Sequence, residues 1–216
     1  MTGKDPSYKT MERLYSDETV ELILHNMFVL LVKEKKIENP DLCGDGTGYS
    51  LFVKKSYRDE NDTKKDRKDF VYYFSLLDLD TLMYVCCGYS RKSEKDAYNK
   101  ALKMLNNSGI DVKSIRLDRY YSNHSITDDF DKDTTIYVIP KKDVTVKGSL
   151  KWKKILSDFA LNTYAYLKEY FRRNLSEAMF SVDKRFFGGY VRQKLDGRIE
   201  QCLFARSVLH NLFFAF

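Results

Sequence analysis

Cysteine, histidine and proline are scarce in this chain, and each scarcity removes a class of protein. The four cysteines, Cys43, Cys86, Cys87 and Cys202, show no Cys-x2-Cys spacing, and the three histidines form no paired cluster. That leaves neither a zinc site nor a disulfide framework, and the cysteines read as buried thiols in a reducing compartment. With three prolines, 43% hydrophobic residues and 14% aromatics, the composition is that of a folded globular chain and not of a disordered one. No stretch approaches the roughly 20 apolar residues that span a bilayer, and the opening Met1-Thr-Gly-Lys-Asp-Pro6 has no apolar signal region. A cytoplasmic protein with no membrane partner is expected. No internal repeat or low-complexity tract is present.

What the chain does have is length for one ordinary domain plus a small appendage, at 216 residues. Its net charge of +6, from 37 Lys and Arg against 31 Asp and Glu, suits a polyanionic partner without requiring one.

Read in order, residues 1–16 are polar and form an expected loose lead-in. Thr19 to Lys36 carries Val20, Leu22, Ile23, Met27, Leu30 and Leu31 at helical steps, with Ser16 or Asp17 as cap and Asn39-Pro40 beyond its end. Leu42-Cys-Gly-Asp45-Gly-Thr-Gly-Tyr49 reads as a strand or β-turn in which glycines beside Asp45 let the backbone turn. Lys54 to Asp69 is a dense charged run without apolar period, an exposed loop. Two aromatic and β-branched stretches, Phe70 to Asp78 and Thr81 to Gly88, predict a hairpin. Ser93 caps a helix to Asn106 that Gly109 ends, and Val112 to Leu117 follows as a crossover strand. Asp118 comes directly after that strand, a position suited both to capping the next turn and to a site at the carboxyl edge of a sheet. Thr134 to Ile139 is a further strand and Pro140 to Ser149 a basic loop. A helix is expected from Leu150 to Lys168, with Trp152 in the core, and a terminal helix from Arg198 to Phe214 packs through Ile199, Leu203, Val208, Leu212 and Phe213.

The stretch Tyr170 to Lys184 organises the rest. At about 100° per residue, Arg173, Glu177 and Lys184 fall within about 60° of Tyr170, while Phe171, Leu175, Ala178, Met179 and Val182 occupy an opposite arc predicted to face the core. As charge patterning alone, this is a solvated face with an i,i+4 ion pair worth a few tenths of a kcal/mol.

The spacing Tyr170-x2-Arg173-x3-Glu177-x6-Lys184, however, resembles the signature of DDE transposases of the insertion-sequence-four type. Asp45-Gly-Thr-Gly-Tyr49 resembles the first-aspartate motif of that family, and Asp118 stands where the family places its second carboxylate. The order of elements, three antiparallel strands, a helix, parallel strands and then helices, is that of an α/β, ribonuclease H-like mixed sheet. In such a sheet the first and fourth strands are neighbours, which brings Asp45 near Asp118. The resemblance implies Asp45, Asp118 and Glu177 as catalytic metal ligands. Converging carboxylates call for a divalent cation, and hard oxygen ligands select Mg²⁺ or Mn²⁺, here two ions. It implies Tyr170, Arg173 and Lys184 as contacts to double-stranded DNA, both transposon ends and target, and a homodimer on paired ends. Lys64, Lys65, Arg67 and Lys68 of the charged run become candidate phosphate contacts.

The resemblance covers about residues 40–190 and divides the chain into a helical lead-in, 1–38, expected to be the remnant of an amino-terminal region, and a catalytic domain, 39–216. It departs from the family in its short region before Asp45. Two alternatives stay open, a ribonuclease H-like nuclease that cuts without joining and an inactive DNA-binding remnant.

Overall fold

The structure, a computed structural model, describes residues 7–51 and 70–216. The charged run with Lys64, Lys65, Arg67 and Lys68 lies outside the described residues. Part of the expected loose lead-in is helical: α1, Tyr8–Leu14, is capped by Ser7 but buries no residue. α2, Glu18–Glu34, is capped by Asp17, whose carboxylate accepts from Thr19 N at 2.9 Å and Val20 N at 3.3 Å. It sinks Phe28 and Val32 into the core.

The glycine-rich segment around Asp45 makes no turn. It lies inside an eleven-residue strand, β1, Asp41–Leu51, because the glycines there meet a need for space and not for a positive φ. A Cβ on Gly44 would stand 2.5 Å from Leu76 Cδ2 and 2.7 Å from Leu117 Cδ2. β2, Phe70–Asp78, and β3, Tyr84–Ser90, form the expected hairpin and pair antiparallel, β2 also pairing antiparallel with β1. α3, Glu94–Ser108, capped by Ser93 and ended by a left-handed Gly109, crosses to β4, Ser114–Leu117, which runs parallel to β1. β5, Thr135–Tyr137, adds in parallel to β4.

The single helix expected from Leu150 breaks at Asn162 into α4, Leu150–Leu161, and α5, Thr163–Tyr170. Asn162 sits at φ −126°, ψ 42°, and the Thr163 hydroxyl donates back to the Phe159 carbonyl, a local bond that competes with helix continuation. The signature stretch is also interrupted: a 3₁₀ turn, Phe171–Arg173, joins α5 to α6, Asn174–Phe187. β6, Tyr190–Val191, pairs with the far end of β1, and α7, Asp196–Ala215, closes the described chain.

Among the described residues the strands form one mixed sheet in the order β3-β2-β1-β4-β5, with β6 on β1. This is an α/β architecture flanked by helices and compatible with a ribonuclease H-like fold, and β1 and β4 are neighbours as expected. Successive side chains alternate between faces. Phe74 meets Tyr98 of α3 on one face, while Tyr73 meets Phe180 of α6 and Ser207 of α7 on the other. β4 pairs β1 over Asp41 to Gly44 and β6 pairs it at Ser50 and Leu51. Among the described residues, 45–49 are therefore left without a strand on that side.

The face that α6 buries is only partly the predicted one: Leu175 and Met179 pack half-buried against the core, but the fully buried positions are others. Ser176, Phe180 and Asp183 are buried, whereas Phe171 is 52% exposed and Ala178 lies at the surface. Partner chemistry explains the rotation. Ser176 Oγ lies 3.0 Å from Cys43 Sγ, Phe180 packs edge-on to Tyr73, and Asp183 accepts from the Tyr84 phenol at 2.7 Å. Phe213 likewise sits outside the core at 65% exposure, stacked on Phe186. Trp152 is core, at 1% exposure. No helix among the described residues is long and apolar enough to cross a membrane.

Candidate active site

The odd-numbered residues of β1 form a row beneath α6 and α7. Cys43 faces Ser176, Asp45 faces Arg173, Thr47 accepts from Lys184 Nζ at 2.6 Å, and the Tyr49 ring lies 5.3 Å from both Lys184 Nζ and the Arg206 guanidinium. Because β4 runs parallel to β1 with Leu117 opposite Gly44, the next residues end up side by side, Asp118 just past the carboxyl end of β4 and Asp45 in the middle of β1. Glu177 arrives from the first turn of α6, where the positive end of the helix favours an acid.

Three carboxylates from three elements converge on one guanidinium. Arg173 Nη1 lies 3.6 Å from Asp45 Oδ2 and 3.7 Å from Asp118 Oδ2, and Nη2 lies 3.1 Å from Glu177 Oε1. The side chains differ in exposure, at 14% for Asp45, 15% for Arg173, 40% for Asp118 and 55% for Glu177. Burial pushes Asp45 up to about 6, against the pull of the Gly46 amide and Arg173, with Glu177 and Asp118 adding repulsion. For Arg173, burial works against the charge, but Tyr170, Asp118, Asp45 and Glu177 outweigh it and hold the guanidinium above its ordinary value. Asp118 also caps the short 3₁₀ turn Arg119–Tyr121, its Oδ1 accepting from Tyr120 N at 3.3 Å. Capping and convergence thus coexist in one side chain.

The donor chemistry suits a hard divalent cation, since all three groups offer carboxylate oxygen. Among the described residues no three acidic, histidine or cysteine side chains already stand in metal-binding geometry, and the Arg173 guanidinium contacts all three of these carboxylates. Its Nε and Nη1 are buried without a hydrogen-bond acceptor among the described residues. Charge, and not hydrogen bonding, therefore holds Nη1 there.

The other two residues of the signature are placed differently from one another. Tyr170 is 3% exposed, its ring 5.6 Å from the Arg173 guanidinium, and burial raises its phenol. Lys184 is half-buried over Thr47, and burial lowers its ammonium below the usual lysine range. The basic loop after β5 reaches the site from the other side, Lys141 Nζ donating to the Tyr120 carbonyl at 3.2 Å.

Sequence reasoning missed Glu94 and Tyr121. The Glu94 carboxyl lies over Gly46, where a Cβ would come within 2.7 Å of it, and Glu94 Oε1 accepts from the Tyr121 phenol at 2.8 Å. A fourth acid is thereby held on the opposite face of β1, tied to the turn that carries Asp118. Gly46 beside Asp45 was the available signal, since a residue without a side chain marks a close approach.

Comparison with known proteins adds one observation. The chain is similar to a transposase. It is 50% identical over 211 residues to the probable transposase for insertion sequence element ISA1214 of Archaeoglobus fulgidus. The match takes in 98% of this chain and 64% of that protein, so the chain spans somewhat less than two thirds of its relative. No protein-family model matches, and no solved structure does.

Proposed function

We propose that this chain carries the catalytic centre of a DDE-type transposase, which cuts DNA at the ends of an insertion sequence and joins the cut ends to a target. The observation that carries the reading is the convergence of Asp45, Asp118 and Glu177 on one part-buried cation, in a chain half identical to a probable insertion-sequence transposase. Asp45, Asp118 and Glu177 would hold Mg²⁺ or Mn²⁺, probed as two ions. Such ions, when bound, polarise the phosphoryl oxygens and activate an attacking hydroxyl for in-line displacement.

The chain's own residues supply position and charge. Asp45 is fixed on the strand in the middle of the sheet and Asp118 by its cap on the following turn, so two of the three acids sit on rigid elements. Glu177, the most exposed of the three, stands nearest to solvent, where a duplex arrives. Arg173 offers a planar fork that matches phosphate oxygens, and buried Tyr170 braces it from behind. Lys184 adds a point charge at the open side of β1. No covalent protein intermediate is needed. Double-stranded DNA is the partner, and a homodimer on paired ends is the assembly the family resemblance suggests.

A separation of binding from cutting tests the roles. Glu177→Gln keeps the size and hydrogen-bonding capacity of the side chain while removing its charge. Nicking of a short duplex in Mn²⁺ is expected to fall by about 10³-fold or more, in keeping with the loss of a metal ligand, with DNA affinity measured in EDTA within about threefold of the parent. Equal loss of binding and cutting would assign Glu177 to the DNA contact and remove it from the metal site.

A further inference from the structure

Arg173 sits where a bound cation would be needed, and its surroundings make that position conditional. It is the positive charge placed among three carboxylates, two of its nitrogens are buried without acceptors, and its contacts to Asp45 and Asp118, at 3.6 and 3.7 Å, are too long for hydrogen bonds. Its backbone belongs to the 3₁₀ turn Phe171–Arg173 that interrupts the run from α5 to α6, the kind of short irregular stretch at which helices hinge. Asp45 and Asp118 are anchored on β1 and at the end of β4, so when the cluster rearranges the guanidinium and the exposed Glu177 are the parts free to move.

Resting on the reading of these carboxylates as metal ligands, we infer that Arg173 is a removable counter-ion. Without a divalent cation it neutralises Asp45, Asp118 and Glu177 and keeps them together. When the cation takes the carboxylates, the guanidinium is released to a DNA phosphate, whose oxygens satisfy the donors that are orphaned in its resting place. Metal and DNA then bind cooperatively through one side chain. The coupling is reciprocal, each ligand raising the affinity for the other by the same factor. The device keeps the carboxylate cluster intact before substrate arrives and spares Arg173 for DNA only once the centre is loaded.

The test uses the full chain and two probes. Mn²⁺ alone is titrated and followed by electron paramagnetic resonance of the free ion, and a labelled short duplex is titrated by fluorescence anisotropy in EDTA and in Ca²⁺. Arg173→Gln removes the competing charge and is expected to bind Mn²⁺ about tenfold tighter than the parent, the weight of one part-buried ion pair. Ca²⁺ is expected to raise the duplex affinity of the parent by about tenfold and that of Arg173→Gln by less than about threefold, within the usual range for coupled sites. Arg173→Lys keeps the charge on a shorter reach, so its Mn²⁺ affinity is expected between the two. This ordering decides the matter even if Arg173→Gln folds poorly.

Equal or weaker Mn²⁺ binding in both Arg173 variants would overturn the inference and make Arg173 a fixed part of the cluster, while leaving the metal centre standing. Unchanged coupling in Arg173→Gln would overturn it as well. Absence of Mn²⁺ binding in the parent chain, with Asp118→Asn no different from it, would instead remove the metal centre itself and the inference with it.

Discussion

At Asp45 burial and neighbouring acids oppose the charge that the proposed metal ligand needs. Its carboxyl titrates at about 6 against an ordinary 3.8, chiefly through burial. The sign of the consequence follows directly. A folded-state value above the unfolded one favours the protonated acid, so the associated stability is fully present below about 3.8 and lost as pH rises through about 6. At pH 7.5 the charge is a standing cost of up to about 3 kcal/mol. Asp45→Asn is therefore expected to raise the melting temperature at pH 7.5 by several degrees and to change it little at pH 4. Calorimetry of both proteins at the two pH values checks this, and a stabilisation that is equal at both would show that Asp45 is not strained by its charge.

The residues at the site were unevenly legible. Asp45, Asp118, Arg173 and Glu177 stand out by motif spacing, and the structure brings all four together. Spacing could not show that Arg173 points back into the carboxylates, because periodicity gives a direction around a helix and not a partner. Nor could it show that Tyr170 is buried, since its place on a polar stripe assumed a continuous helix that the 3₁₀ turn interrupts. Glu94 was invisible for another reason: its partner Tyr121 is 27 residues away, and only folding makes them neighbours.

Among the elements, α3 and α7 decide how well the sheet is held, and each does so through a contact that one substitution removes. Gly88 lets the α3 backbone lie directly on β3. A Cβ there would stand 2.1 Å from the Ala97 carbonyl oxygen and 2.6 Å from Ala101 N. Backbone cannot yield as a side-chain tip can, so Gly88→Ala is expected to cost about 3 kcal/mol in urea unfolding, at the upper end for overpacking. A cost below 1 kcal/mol would mean that α3 sits more loosely than its contacts indicate.

α7 covers the edge strand. Asn211 accepts from Tyr84 N at 2.7 Å and donates to Tyr84 O at 2.8 Å, standing in for the outer strand that β3 lacks among the described residues. Beside it, His210 is 1% exposed, with Nδ1 2.7 Å from Asp183 Oδ1 and Nε2 2.8 Å from the Leu82 carbonyl oxygen. His210→Leu leaves Asp183 buried with only the Tyr84 phenol and is expected to destabilise by about 3 kcal/mol. Adding Asp183→Asn should restore much of that loss, and a double variant as unstable as the single one would contradict the pairing. The strands and α3 were legible because aromatic, β-branched and capping signals agreed over whole segments. The rotation of α6 was not, because its buried face is chosen by Cys43, Tyr73, Tyr84 and His210 from other elements and carries a serine and an aspartate where periodicity expects apolar side chains.

For the whole molecule, topology is what assembles the chemistry. A strand order of β3-β2-β1-β4-β5 sets Asp45 and Asp118 on neighbouring parallel strands. Among the described residues β4 and β6 leave the middle of β1 open on that edge, and the 3₁₀ turn with α6 lays Arg173, Glu177 and Lys184 across the opening. That order was readable from the succession of elements, whereas the breaks at Asn162 and at Phe171–Arg173 were not, since no proline or glycine marks them.

The measurement that bears most directly on the proposed centre is Mn²⁺-dependent nicking of a short DNA duplex by the parent chain and by Asp118→Asn. The account predicts nicking by the parent that disappears in EDTA, and a loss of about 10³-fold or more in Asp118→Asn with the fold intact by circular dichroism. Nicking by a folded Asp118→Asn at the parent's rate, or parent nicking that persists in EDTA, would contradict it.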